Sequence, residues 1–177
     1  MKKIYAGIGS RKTPSDKKDI MFELAKVLAK KDWTLHTGAC KGADQAFAEG
    51  ALSVDGKVVL HLPWFSYEED WVYSVSNKVE EVDVLSDYDQ KAWDAVYKYH
   101  PAPNSLSRGA ERLHARNHNI IKNVSLIICW TPEGKVTGGT GQALREAKDL
   151  GIDVLNLGNS KDFGTVMYFL IAWNDLL

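Results

Sequence analysis

The sequence predicts an α/β domain: a doubly wound, mainly parallel sheet flanked by helices. Three observations carry this. Short apolar runs of strand length alternate with segments of helical periodicity along the whole chain. One run, Val124–Trp130, is almost wholly apolar, as a central parallel strand covered on both faces must be. Glycine-containing loops stand where strands give way to helices.

Taken in order, Ile4–Ile8 reads as a first strand and ends in Gly7-Ile8-Gly9-Ser10-Arg11. Asp16–Lys31 places Ile20, Leu24, Val27 and Leu28 at the three-and-four spacing of an amphipathic helix. Trp33–Thr37 is a second strand, and Lys41–Leu52 a helix opened by Gly38-Ala39-Cys40-Lys41-Gly42-Ala43-Asp44. Lys57–Leu62 is a third strand, closed by Pro63-Trp64. Between 66 and 113 the pattern weakens. Tyr67–Ser76 and Gln90–Tyr99 look helical, Val82–Leu85 has strand character, and two prolines break the chain at His100–Asn104. This segment reads as an insertion or lid within one domain, 1–177. Ser107–Asn123 is a helix leading into the apolar run, and a glycine-rich loop, Gly134–Gly141, follows. Gln142–Leu150 (helix), Asp153–Leu157 (strand) and Asp162–Asn174 (helix) complete the pattern.

The 177 residues suit one domain, able to bury roughly 70% of its unfolded surface without a metal or disulfide staple. A net charge of −1 argues against a uniformly basic surface that coats nucleic acid, and leaves room for a local basic pocket. The chain starts directly on an apolar strand, and no apolar run approaches the ~20 residues of a membrane span. A cytoplasmic protein with no membrane partner and with Cys40 and Cys129 as free thiols is the expectation.

Ligands of open α/β sheets sit outside the C-terminal ends of the strands. Gly7–Arg11, Gly38–Asp44 and Gly138–Gly141 each follow a strand and precede a helix. A helix start offers unpaired N–H groups and the positive end of a dipole, and glycine lets a phosphate approach the backbone, so each loop is a candidate phosphate cradle. None carries the Gly-Lys-Ser/Thr ending of a P-loop, and the first lacks the third glycine of the dinucleotide fingerprint. Arg11, Lys12, Lys41 and Arg116 supply positive charge nearby, and Asp44 suits ribose hydroxyls. Trp64 and Trp130 fall at strand ends, where a ring can stack on a base. Trp33, Trp71, Trp93 and Trp173 fall on apolar faces and read as core.

These residues resemble the SLOG superfamily of Rossmann-like nucleotide-binding domains, which includes DprA/Smf and the Lonely-guy phosphoribohydrolases. Gly9-Ser10-Arg11 looks like the first DprA motif. Thr37-Gly38-Ala39-Cys40-Lys41-Gly42-Ala43-Asp44 looks like the second, and Arg116-Asn117 with Ile120-Ile121 is similar to an Arg-Asn segment of that group. Cys129–Gly134 with Gly138–Ala143 looks like the form found in small standalone DprA-like members of phages and bacteria. The resemblance implies that Gly9, Ser10, Arg11, Gly38, Ala39, Lys41, Gly42, Asp44, Arg116, Asn117, Gly138, Gly139, Thr140 and Gly141 surround the ligand, and that the protein self-associates. Lonely-guy enzymes carry Pro-Gly-Gly-x-Gly-Thr-x-x-Glu. Here Arg145 stands in place of that glutamate, with Glu146 next to it and Arg116 matching the catalytic arginine.

Other constellations are plainer. His114 and His118, four apart on a helix, lack a third ligand, and no metal or cofactor is expected. Cys40 lies at a helix N-terminus, a setting that lowers a thiol pKa, yet no histidine pairs with it in sequence. Val166–Trp173 is apolar all round, as in a helix that is buried against the sheet or in a subunit interface. Three functions follow. The first is a small-ligand binder that holds a nucleotide, or a signal such as a cyclic nucleotide or cyclic ADP-ribose, without consuming it; in a phage this would be a sponge for an immune signal in the host cytoplasm. The second is an N-glycosidic hydrolase using Glu146, Asp44 or Glu111 with Arg116. The third is a DprA-like binder of single-stranded DNA.

Overall fold

The computed structural model describes residues 3–174. Along them run β1 (Ile4–Gly9), α1 (Ser15–Lys30), β2 (Thr34–Thr37), α2 (Ala43–Leu52), β3 (Val58–Leu62), α3 (Glu69–Val75) and β4 (Glu81–Val84). They are followed by α4 (Gln90–Tyr99), α5 (Arg108–Ile121), β5 (Leu126–Trp130), α6 (Gly138–Leu150), β6 (Asp153–Asn156) and α7 (Ser160–Asn174). The six strands form one sheet in the order β4-β3-β2-β1-β5-β6, and every pairing is parallel. The chain winds outward from β1 to β4, then crosses back to lay β5 on the free side of β1, in register from Tyr5↔Leu126 to Gly9↔Trp130. The order reverses between these two strands, and a crevice opens there at their C-terminal ends. This is the Rossmann-like α/β architecture that the sequence predicts.

Period-two alternation sends side chains to two cores. Tyr5, Leu35, Leu60 and Ile128 pack with α1, α2 and α7 through Met21, Leu28, Phe47 and Val166. Ala6, Ile8, Ile127 and Cys129 meet α5 and α6 through Ile120, Ile121, Ala143 and Ala147. Within 66–113, β4 extends the sheet as its edge strand, and α4 docks on α5 through Ala92, Val96 and Ala115.

Two expectations are corrected. Gly138–Gly141 is not loop but the first turn of α6, closed by the Gly141 N–H donating to the Thr137 carbonyl at 2.9 Å. Three glycines and a threonine have poor helix propensity, and tertiary anchoring overrides it: the Asn117 side-chain amide on α5 donates to the Gly139 carbonyl at 3.3 Å. The last helix is not buried all round. Val166 and Leu170 are covered, whereas Tyr168 and Ile171 are 70% and 62% exposed, because α7 lies at the outer margin beside α1. Among the described residues, no helix is long and apolar enough to cross a membrane.

A polar chain crosses three adjacent strands on the α5 side. His61 Nδ1 meets Asp83 Oδ2 at 2.8 Å, and His61 Nε2 meets His36 Nδ1 at 3.1 Å. The bond to His61 holds the Asp83 carboxyl below the usual carboxylate range. Ionised Asp83 thus contributes stability that is present above the ordinary carboxylate pKa and lost as pH falls through the depressed one. The difference in thermal midpoint between wild type and Asp83→Asn is expected to be widest near neutrality and to close below about pH 4. A difference independent of pH would remove this role.

Candidate functional site

A cavity of about 570 Å³ opens at the C-terminal ends of β1 and β5, within the size range of small-molecule sites. Ile8, Gly9 and the loop Ser10, Arg11 and Lys12 form one side. One face of α5 forms another. Ala110, Leu113, His114 and Asn117 recur at the three-and-four spacing that puts them above one another, and all line the cavity. Pro132 and the start of α6, Thr137–Thr140, face them, and Tyr67 supplies an aromatic ring.

The floor is built around Gly38. Arg116 is 4% exposed, and its Nη1 donates to the His61 carbonyl at 2.9 Å. Asp44, also 4% exposed, turns its carboxylate toward the backbone N–H groups of Gly9, Cys40 and Gly38. Guanidinium and carboxylate converge on the space that a Gly38 side chain would fill: a Cβ there would overlap both. Burial pushes the Asp44 carboxyl up to about 6, against the opposing pull of Arg116 and the three N–H groups. Gly42 has a separate task. Its φ of 99° is open to glycine, and a Cβ would lie 2.7 Å from the Ser10 carbonyl, so the two floor loops nest only with glycine there.

The α6 wall is polar by construction. Thr137 caps the helix without a side-chain hydrogen bond, and the N–H groups of Gly138, Gly139 and Thr140 precede the first intrahelical donor, Gly141. Asn117 Nδ2 reaches both the Gly139 carbonyl and Gln142 Oε1, at 3.3 and 3.2 Å. Behind this turn the buried Glu146 pairs with His118 Nδ1.

Of the residues singled out in the sequence, Gly9, Ser10, Arg11, Asp44, Arg116, Asn117, Gly138, Gly139 and Thr140 converge on the cavity. Gly38, Ala39 and Gly42 lie behind its surface as packing, and Gly141 sits inside α6 against the Val136 backbone. Lys41 is turned outward toward Glu68, 3.7 Å away. Neither Trp64 nor Trp130 lines the cavity. Trp64 stands edge-on to Tyr67, with ring centroids 5.1 Å apart. Trp130 follows the strand parity of Ile128 and packs into the α1–α2 core, on the opposite face from Cys129. Of the three carboxylates considered for hydrolysis, Asp44 alone lines the cavity; Glu111 is held by Tyr97 and Arg108, and Glu146 by His118. The Cys40 thiol is pushed up rather than down, by burial and then by the Asp44 carboxylate, which outweigh the opposing pull of Tyr67, Arg116 and Arg11. Tyr67 and Leu113 were missed. The α5 period carried a signal for Leu113, since it shares the face of His114 and Asn117.

No curated protein matches the chain. Two structures of the molybdenum cofactor carrier protein of Chlamydomonas reinhardtii share this fold. One matches at 16% identity with a TM-score of 0.56 over 97% of this chain and 86% of that one. The other matches at 17% with a TM-score of 0.58 over 100% and 87%. DNA processing protein A (DprA) of Streptococcus pneumoniae matches at 18% identity with a TM-score of 0.62 over 94% of this chain, which spans only 56% of that one. The family model that matches the sequence covers residues 3–91, half of the chain, and with it the β1–α1 and β2–α2 loops that build the cavity floor: the chain belongs to the SLOG cluster4 family.

Proposed function

We propose that this chain binds a phosphate-bearing nucleotide, or a signalling molecule derived from one, in the cavity at the β1–β5 switch point and holds it intact. One observation carries the reading: the open first turn of α6 faces the Ser10–Lys12 loop across a single cavity. A phosphate between them meets backbone N–H groups on one side and the exposed Arg11 and Lys12 on the other. The remainder of the lining suits a ring system, with Tyr67 for stacking and Leu113, Ala110, Ile8 and Pro132 for apolar contact. One structural neighbour is by name a carrier of a cofactor, and a carrier retains its ligand unchanged. The burial of Glu146 on α6, behind that helix's first turn and away from the cavity, favours holding over cleavage.

A specific observation favours a second reading, N-glycosidic hydrolysis. Asp44 is a buried acid that lines the cavity and is poised at about 6, within the range useful to a general acid or base. Purified protein incubated with a panel of nucleotides and cyclic ADP-ribose isomers, washed and heated, separates the two. Mass spectrometry is expected to find one intact ligand released. Free base with a sugar phosphate would replace holding by hydrolysis, and an empty protein with an unchanged panel would overturn both.

A further inference from the structure

We propose that His114 contacts the anion itself: its imidazole donates a hydrogen bond to a phosphoryl oxygen seated on the first turn of α6, and takes up a proton from solvent as the ligand binds. This rests on the reading of the cavity as an anion site and adds to it a residue and a proton.

The geometry comes first. His114 lines the cavity from α5 and is only 9% exposed, yet its Nδ1 has no hydrogen-bond partner. Leaving a buried hydrogen bond unmade is costly, so a polar atom left in that state beside a cavity is one that a ligand can satisfy. Its position relative to α6 is defined by Gly139. The nearest atom to a Cβ placed on Gly139 is His114 Cε1, at 3.8 Å. Both ring nitrogens flank that carbon, so both stand beside the turn whose N–H groups are open. The bare glycine leaves room there for an oxygen between imidazole and backbone. The ring is held in place by His100, which meets it edge-on with centroids 4.6 Å apart.

The charges around the ring explain why it would be neutral until an anion arrives. Burial lowers its pKa most, followed by repulsion from His100, with Arg145 on α6 and Arg116 on α5 acting the same way; the neighbouring Gln142 side chain on α6 opposes them without completing a hydrogen bond to Nδ1. Glu111, one turn earlier on α5, is engaged by Tyr97 and Arg108, and Asp44 lies on the floor of the same cavity. A phosphoryl group on the α6 turn supplies the missing counter-charge at hydrogen-bond distance. Opposite charges within about 4–6 Å raise a cation's pKa by about 1–3 units. This residue would therefore make anion affinity rise as pH falls toward 6, and would favour doubly charged phosphoryl groups over singly charged carboxylates.

The test is a proton NMR titration of the five imidazoles with and without sulfate, a tetrahedral dianion that does not itself titrate between pH 5 and 8. The His114 signal is assigned by its loss in His114→Gln. Saturating sulfate is expected to raise the His114 midpoint by about one unit or more. His114→Gln is expected to bind sulfate about tenfold more weakly at pH 6 and nearly as well as wild type at pH 8. Asp44 titrates in the same cavity, so the affinity profile is repeated in Asp44→Asn, where the His114 midpoint must still move. Sulfate that shifts the Gly138–Thr140 amides while leaving the His114 midpoint unchanged overturns this inference and leaves the anion site standing. Amides that respond neither to sulfate nor to adenosine 5′-monophosphate overturn the anion site, and the role of His114 with it. Where the glutamine variant folds poorly, the His114 signal is assigned instead by through-bond and through-space correlations in the isotope-labelled wild-type chain, so the titration remains decisive.

Discussion

A Gly38→Ala chain is expected to lose ligand binding and at least about 2 kcal/mol of stability. The reason is spatial. The added methyl would overlap Arg116 Nη1 and Asp44 Oδ2 and stand 2.8 Å from the guanidinium carbon. Neither partner has room to yield. The guanidinium is fixed by the His61 carbonyl, and the carboxylate by N–H groups from two loops. Overpacking of this kind costs about 1–3 kcal/mol. Displacing the arginine adds a second cost by moving its positive charge away from a buried carboxylate that it helps to stay ionised. Gly164→Ala is the matched control. Nothing lies within 4 Å of its Cβ position on α7, so alanine there is expected to be neutral or to stabilise by about 0.5–1 kcal/mol. Urea midpoints compare the two directly. Equal midpoints for Gly38→Ala and wild type would show that Arg116 and Asp44 are not locked around this residue.

The same glycine shows how far the sequence could be read. Its position after β2 and before α2 was legible from hydrophobic periodicity, as was the cavity at the strand ends. The helix Gln90–Tyr99 is observed over the residues predicted. What a glycine does at such a place was not legible. Gly38 and Gly42 make room for protein groups: at the first Arg116 arrives from α5, nearly eighty residues later in the chain, and at the second the Ser10 carbonyl packs close. Trp130 illustrates a different limit. Its place at the end of β5 was correct, but parity with Ile128 sends the ring into the α1–α2 core rather than into the cavity. The sequence reads Tyr67 as the start of the helix Tyr67–Ser76, whereas it lies in the turn between β3 and α3, which has no period from which to read an orientation.

Asp44→Asn is expected to reverse sign with pH. Burial holds the wild-type carboxyl at about 6 in the folded chain, against 3.8 for the free side chain. Between those values the folded state carries the proton and the unfolded state does not. Folding is therefore helped by acid: this group's contribution is most favourable below about pH 4 and is lost as pH rises through about 6. Near pH 7 the folded chain bears a buried charge at a cost of roughly 3 kcal/mol. Asparagine keeps the shape and an acceptor for the loop N–H groups but removes the charge. Relative to wild type, the variant should gain up to roughly 3 kcal/mol between pH 4 and pH 7, destabilised at the acid end by lost hydrogen bonds and level or better at neutrality. The trend runs opposite to that of Asp83, whose stabilising charge is lost in acid, so the two variants measured side by side control for global effects of pH. Denaturant titrations at pH 4, 5.5 and 7 suffice. A stability difference constant across them would mean that Arg116 and the three N–H groups fully compensate burial. Asp44 would then be an ordinary ionised carboxylate at neutral pH, unable to deliver a proton to a leaving base, and hydrolysis would lose its one observation in the cavity while ligand retention would keep all of its own.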